Sequence, residues 1–174
     1  MKFPRIVFKY FEADELEDMH LEVFADSDWA GCLKTRKSTS GGIASIGGGL
    51  MRSWSSTQAT VAMSSGEAEY YAMVKAASEA LGIQALAADL GWHWKVRLWV
   101  DSTAAKSLAS RTGLGRVRHL EVRFLWLQEV VRKGRVTLRK IPGEKNPADI
   151  LTKPKNASDM SLKLVPVSAE LRGR

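Results

Sequence analysis

The stretch Leu21-Glu22-Val23-Phe24-Ala25-Asp26 alternates Leu21, Val23 and Ala25 with Glu22, Phe24 and Asp26, the two-residue period of a strand. It ends on a carboxylate. Downstream, residues 41–46 and 50–55 read as two further strands joined by Gly47-Gly48-Gly49, a link that tolerates positive φ and so suits a hairpin. Upstream, residues 1–20 mix aromatics with the acidic run Glu12-Ala13-Asp14-Glu15-Leu16-Glu17-Asp18 and keep no period. They are expected to be a lead-in from a region upstream.

Beyond the hairpin the period changes. Residues 66–90 carry Met73, Ala76, Ala80, Ile83, Ala87 and Leu90 at steps of three and four, which predicts a long amphipathic helix. Residues 96–100 form a short apolar strand ending in Asp101, and Ser102 is placed to cap a helix over 103–109. A helix over 117–132 follows, with Leu120, Phe124, Leu127 and Val131 on one stripe and Gly134 as its stop. Residues 135–141 alternate like a strand. Asn146-Pro147 then opens a short helix, with its cap residue and proline at the first helical position. The stretch 155–174 shows no pattern and is expected to be a disordered tail. Three hairpin-linked strands followed by alternating helices and strands predict an α/β domain with one mixed sheet, antiparallel on one side and parallel on the other, and helices on both faces.

The 174 residues suit one domain of ordinary size. A composition 45% hydrophobic and 26% charged excludes a disordered chain, a collagen repeat and a disulfide miniprotein. The single cysteine, Cys32, rules out an internal disulfide and a cysteine-rich zinc cluster. No run approaches the roughly 20 apolar residues of a membrane span, and Met1-Lys2-Phe3-Pro4-Arg5 lacks the core of a secretory signal. The net charge is +7, and ten basic residues against Glu121, Glu129 and Glu144 between positions 111 and 145 account for an excess of that size. A basic segment on a balanced chain fits a polyanion-binding face, or else a solvated surface.

Four acids occupy suggestive places: Asp26 and Asp101 at strand ends, Glu69 on the core-facing stripe of the long helix, and Asp149 in the last short helix. Ligands gather outside the carboxyl ends of parallel strands. If the strands of Asp26 and Asp101 are parallel neighbours, their carboxylates meet, and such repulsion calls for a hard divalent cation. Each acid also has a plainer reading. Glu67 is explained by a capping box with Ser64, Asp149 by the N-terminus of its helix, Asp101 by a strand–helix turn, and Asp28 competes with Asp26 for the first position.

Over residues 21–154 the chain resembles the ribonuclease H domain of copia-type LTR retrotransposon polyproteins. The resemblance rests on Ala25-Asp26-Ser27-Asp28-Trp29-Ala30-Gly31, Ser38-Thr39-Ser40-Gly41-Gly42, Ser53-Trp54-Ser55-Ser56 and Ser64-Ser65-Gly66-Glu67-Ala68-Glu69-Tyr70. It continues through Val100-Asp101-Ser102, Arg118-His119-Leu120-Glu121-Val122-Arg123 and Ala148-Asp149-Ile150-Leu151-Thr152-Lys153-Pro154. The resemblance implies an RNase H-like fold with a five-stranded mixed sheet. It implies hydrolysis of the RNA strand of an RNA–DNA hybrid during reverse transcription, with two Mg²⁺ ions, or Mn²⁺ in their place, on Asp26, Glu69, Asp101 and Asp149. Asp26 would bridge the ions, with Glu69 and Asp101 on one and Asp149 on the other.

It further implies substrate contacts at Gly31 and Cys32, at Ser64 as a phosphate site, and at Arg118, His119 and Lys145. The reverse transcriptase region of the same polyprotein is the implied protein partner, and the implied location is intracellular, cytoplasmic or within virus-like particles. One departure stands out: many cellular relatives carry a histidine in the loop before the last acid, whereas this loop is Pro142-Gly143-Glu144-Lys145-Asn146. Either Glu144 or Lys145 substitutes there, or the step runs unaided. His20 and His93 are expected at the surface and Trp54, Trp99 and Trp126 in the core, while Trp29, which follows the first acid, is read as packing in the core or else touching substrate. Two other classes remain alongside: a hybrid-binding or tethering module without turnover, and a transposase or integrase domain.

Overall fold

The structure, a computed structural model, describes residues 5–9, 19–113 and 122–172. Its elements run in the order β1 (Arg5–Phe8), β2 (His20–Ser27), β3 (Thr39–Ile46), β4 (Gly49–Thr57), α1 (Ser65–Asp89), β5 (Lys95–Val100) and α2 (Thr103–Ser110). After a 3₁₀ turn over Val122–Leu125 come α3 (Trp126–Arg132) and β6 (Val136–Lys140). Two more 3₁₀ turns, Gly143–Lys145 and Pro147–Leu151, lead to α4 (Ala157–Leu164), a 3₁₀ turn over Val165–Val167 and β7 (Ala169–Arg172).

The main sheet has the order β4-β3-β2-β5-β6. β2, β3 and β4 are antiparallel neighbours, and β2, β5 and β6 are parallel. This is the mixed sheet that the sequence order predicts. Gly47 and Gly48, at φ 54° and 78°, make the two-residue link of the β3–β4 hairpin. The pleat of β2 then separates two cores. Leu21, Val23 and Ala25 join α1, α2 and α3 on one face, where the alanines 68, 76, 77 and 80 let α1 lie close to the sheet. Phe24 joins Ile43, Ile141, Ala148, Leu164, Val167 and Ala169 on the other face. Elements therefore cover both faces of the sheet.

Several expectations are corrected. The stretch after residue 154 is not an unstructured tail: α4 and the turn after it bury Leu164 and Val167 completely. β7 closes this segment by pairing antiparallel with β1, so part of the supposed lead-in folds back onto the end of the chain. The reason lies in the apolar spacing of Leu164, Val167 and Ala169, too short a run to show a period but enough to fill the second core. Residues 117–121 of the helix expected over 117–132 lie outside the described residues, and 122–125 form a 3₁₀ turn before α3. The short helix expected after Asn146 is present, as a 3₁₀ helix over Pro147–Leu151 with Asn146 as its cap. Trp29 is 55% exposed and Trp126 37%, so neither is a core residue. Trp29 leaves the sheet with the loop that follows β2 and donates its Nε1–H to the Ala62 carbonyl (3.2 Å). Trp54 and Trp99 are partly buried and pack against the cores as expected.

Candidate active site

Asp26 is the penultimate residue of β2, and Asp101 directly follows β5. Because β2 and β5 are parallel neighbours, both carboxylates emerge at the same sheet edge, where ligands collect in such folds. Glu69 reaches the same spot from the second turn of α1. One carboxylate oxygen from each of Asp26, Glu69 and Asp101 lies within 4.8 Å of the others. Among the described residues these three form a group able to hold a metal ion. Asp28, the rival for the first position, turns away: its carboxylate accepts the Thr39 N–H and closes the loop after β2.

The electrostatics follow from this crowding. Burial, then the neighbouring charges of Asp26 and Asp101, push the Glu69 carboxyl up to about 9. Asp26 is also raised, chiefly by burial, although a hydrogen bond from the Thr152 hydroxyl and the charge of Lys153 oppose the shift. Three carboxylates in one half-buried spot hold oxygen donors and an excess of negative charge, the chemistry that suits a hard divalent cation.

Asp149 is set differently. The buried Asn146 caps the turn that carries it, accepting the Ala148 N–H (3.2 Å) and donating to the Ala25 carbonyl (2.9 Å) next to Asp26. This fixes the turn against β2. Gly41 allows the same approach from β3, since a Cβ there would lie 2.8 Å from the Ala148 carbonyl oxygen. Asp149 carries three ammonium partners: Lys155 at 2.6 Å and Lys163 at 2.8 Å on Oδ2, and Lys153 at 3.2 Å on Oδ1. Lys153 also stands 3.8 Å from Asp26. Burial alone would raise this carboxyl, but hydrogen bonds from Lys155, Lys163 and Lys153 outweigh it and hold it at about 2. Asp149 and Asp101 line one cleft with Gly143, Glu144, Lys153 and Lys163.

The remaining expected positions are spread around this centre. Ser64 accepts the Glu67 N–H (3.2 Å), as the capping reading requires, while Glu67 accepts from Met63 N (2.9 Å) and from the Tyr71 hydroxyl. The Cys32 N–H donates to the Lys37 carbonyl (3.2 Å) and its own carbonyl accepts the Arg36 N–H (2.7 Å), while Gly31 before it is exposed. Lys145 is exposed on the 143–145 turn, whereas its neighbour Glu144 lines the cleft. Arg118 and His119 lie outside the described residues. Sequence reasoning missed Lys155, Lys163 and Gly143. The signal for the lysines was a capping pair, Asn156 accepting the Asp159 N–H (2.8 Å), which opens α4 within the expected tail.

Sheet order, crossing helices and the acids at the carboxyl edge of β2 and β5 define an RNase H-like fold. RNase H1 from the halophilic archaeon Halobacterium salinarum NRC-1 shares it with a TM-score of 0.53 and 19% identity, over 76% of this chain and 93% of that one. LC11-RNase H1, isolated from compost by a metagenomic approach, does so with a TM-score of 0.54 and 17% identity, over 78% and 92%. In sequence, the chain is 34% identical over 152 residues to the retrovirus-related Pol polyprotein from transposon TNT 1-94 of Nicotiana tabacum, covering 85% of this chain and 11% of the relative. It is 31% identical over 141 residues to that from transposon RE2 of Arabidopsis thaliana, covering 78% and 10%. The chain thus spans about a tenth of the length of these two Pol polyproteins. No family model matches it. The chain belongs to the copia-type, retrovirus-related Pol polyproteins, as an RNase H domain. Among the described residues no helix is long and apolar enough to cross a membrane.

Proposed function

We propose that this domain is a metal-dependent endonuclease that hydrolyses the RNA strand of RNA–DNA hybrids during reverse transcription, with Asp26, Glu69, Asp101 and Asp149 as its carboxylates. The convergence of Asp26, Glu69 and Asp101 to within 4.8 Å carries the reading. Asp26, Glu69 and Asp101 would hold divalent cations, Mg²⁺ by their oxygen-only donor set, with Asp149 completing the set from the other side of Asp26. A bound ion of this kind supplies an activated water and neutralises charge on the leaving oxygen.

The chain's own residues set the stage for that chemistry. The Thr152 hydroxyl fixes the rotation of Asp26. Gly143 lets its turn lie flat on Asp101, since a Cβ there would come within 2.9 Å of Asp101 Oδ2. Lys153 places an ammonium between Asp26 and Asp149, where it offsets like-charge repulsion and offers a cation to a phosphate. Glu144, at the cleft beside Asp101 and Asp149, takes the place of the loop histidine of cellular relatives as a proton-handling group. Gly31, in the loop after β2, and Ser64, at the cap of α1, would serve as contacts to sugar and phosphate. The reverse transcriptase part of the same polyprotein is the partner that would deliver the hybrid.

The test is single-turnover cleavage of a labelled hybrid by the purified chain with Mg²⁺. The hybrid is cut while RNA duplex and DNA duplex are spared, and Asp101→Asn abolishes cutting with binding largely retained. Cleavage that persists in Asp101→Asn removes the assignment of the site; intact binding without cleavage in the unaltered protein favours a tethering module.

A further inference from the structure

Lys163 is 4% exposed, although lysine is seldom buried unless its charge is paired. Its Nζ donates to Asp149 Oδ2 (2.8 Å) and to the Gly143 carbonyl (2.6 Å). Lys155 takes the other acceptor position of Oδ2 at 2.6 Å, so this oxygen is committed to lysines, and Oδ1 is the oxygen turned to Lys153 and the Asp26 side. The three lysines are not equivalent. Lys153 and Lys155 stand within six residues of Asp149 and move with its turn. Lys163 comes from α4, which is anchored separately by Leu164 and Val167 in the second core and by the β1–β7 pair. Its second bond holds the Gly143 turn, whose glycine lies flat against Asp101.

We propose that Lys163 is a positioning residue: through it α4 sets the rotation of the Asp149 carboxylate and seats the 143–145 turn on Asp101, which makes residues 157–172 part of the catalytic unit. This rests on the reading of Asp149 and Asp101 as members of the metal-holding set. The alternative, a simple counter-charge, has the opposite signature, because removing a cation beside acids tightens the binding of another cation.

The experiment measures Mg²⁺ affinity of the full chain by calorimetry, without substrate, together with single-turnover and steady-state cleavage of a hybrid. Lys163→Met is expected to weaken Mg²⁺ binding and lower kcat by about 10-fold or more, the usual scale for a group that orients a metal-holding side chain, with KM for the hybrid little changed. Lys163→Arg recovers most of the loss. In an Asp149→Asn background Lys163→Met adds little, because the carboxylate it orients is gone. Tighter Mg²⁺ binding with unchanged kcat overturns the proposal in favour of a counter-charge. An equal loss in the Asp149→Asn background overturns it in favour of a general brace. Should Lys163→Met fail to fold, Lys163→Gln, which keeps a polar side chain but not the charge, decides by the same comparison in the same two backgrounds. If the unaltered chain binds Mg²⁺ but leaves hybrids intact, the nuclease reading falls while the affinities still judge Lys163.

Discussion

Glu69 carries its carboxyl at about 9, raised by burial and then by Asp26 and Asp101, from an ordinary value of 4.5. A group whose folded value lies above its unfolded one stabilises fully below the unfolded value and loses that contribution as pH rises through the folded one. Metal-free protein is therefore expected to lose thermal stability as pH rises from 4.5 to about 9. Mg²⁺ should restore the loss at the alkaline end, and Glu69→Gln should flatten the profile. Melting curves across that range check this, and a midpoint that climbs with pH would contradict it. Asp149 runs the other way: held at about 2 by its lysines against burial, it stabilises above 3.8 and gives this up as pH falls through about 2. Gly143→Ala is a geometric counterpart. Its new Cβ would sit 2.9 Å from Asp101 Oδ2, so the carboxylate must swing aside. Cleavage should drop by about 10²-fold, as displaced reacting groups do, with little change in melting temperature; full activity would show that Asp101 tolerates the move. At this scale much of the site was legible. Asp26 and Asp101 could be read from their strand ends, and Glu69 from a charge on an apolar stripe. The lysine cage of Asp149 could not, because its members come from two segments whose meeting depends on α4, a helix too short and polar to announce itself.

Between elements, the capped turn at 147–151 shows how a local signal finds a tertiary role. Asn146 and Pro147 mark a helix start in any sequence, and the structure uses the same asparagine to clip that turn to Ala25 on β2. The sheet was legible from alternation and hairpin chemistry, since each strand declares its two faces independently of its partners. The tryptophans were not, because bulk alone says nothing of burial: Trp126, the first residue of α3, is 37% exposed although Leu127 and Val130 of the same helix are buried. The basic stretch belongs to this scale as well. Arg132, Lys133 and Arg135 follow one another where α3 ends and β6 begins, with Lys133 spent partly on Glu129 (2.7 Å). Neutralising all three should flatten the dependence of hybrid binding on salt by about one unit of slope for each phosphate that no longer meets a cation. A slope that does not move returns these residues to an ordinary charged surface.

For the molecule as a whole, the second core decides whether the final residues are structural. Leu164 is fully buried there, so Leu164→Ala should cost about 2–5 kcal/mol, the range for a large apolar side chain removed from a packed interior. Chemical denaturation measures this, and a loss near zero would mean that the segment contributes nothing to the fold. The segment escaped sequence reading because a core made of single residues from many elements has no period of its own. The β1–β7 ribbon adds a mechanical property. Arg5 faces Arg172 and Phe8 faces Ala169, so a pull applied to the outer ends of these two strands loads one rung at a time. The ribbon peels like a zip, at low force, while the five-stranded sheet behind it stays closed, and among the described residues α4 is the first α-helix that a pull on the C-terminal strand would reach.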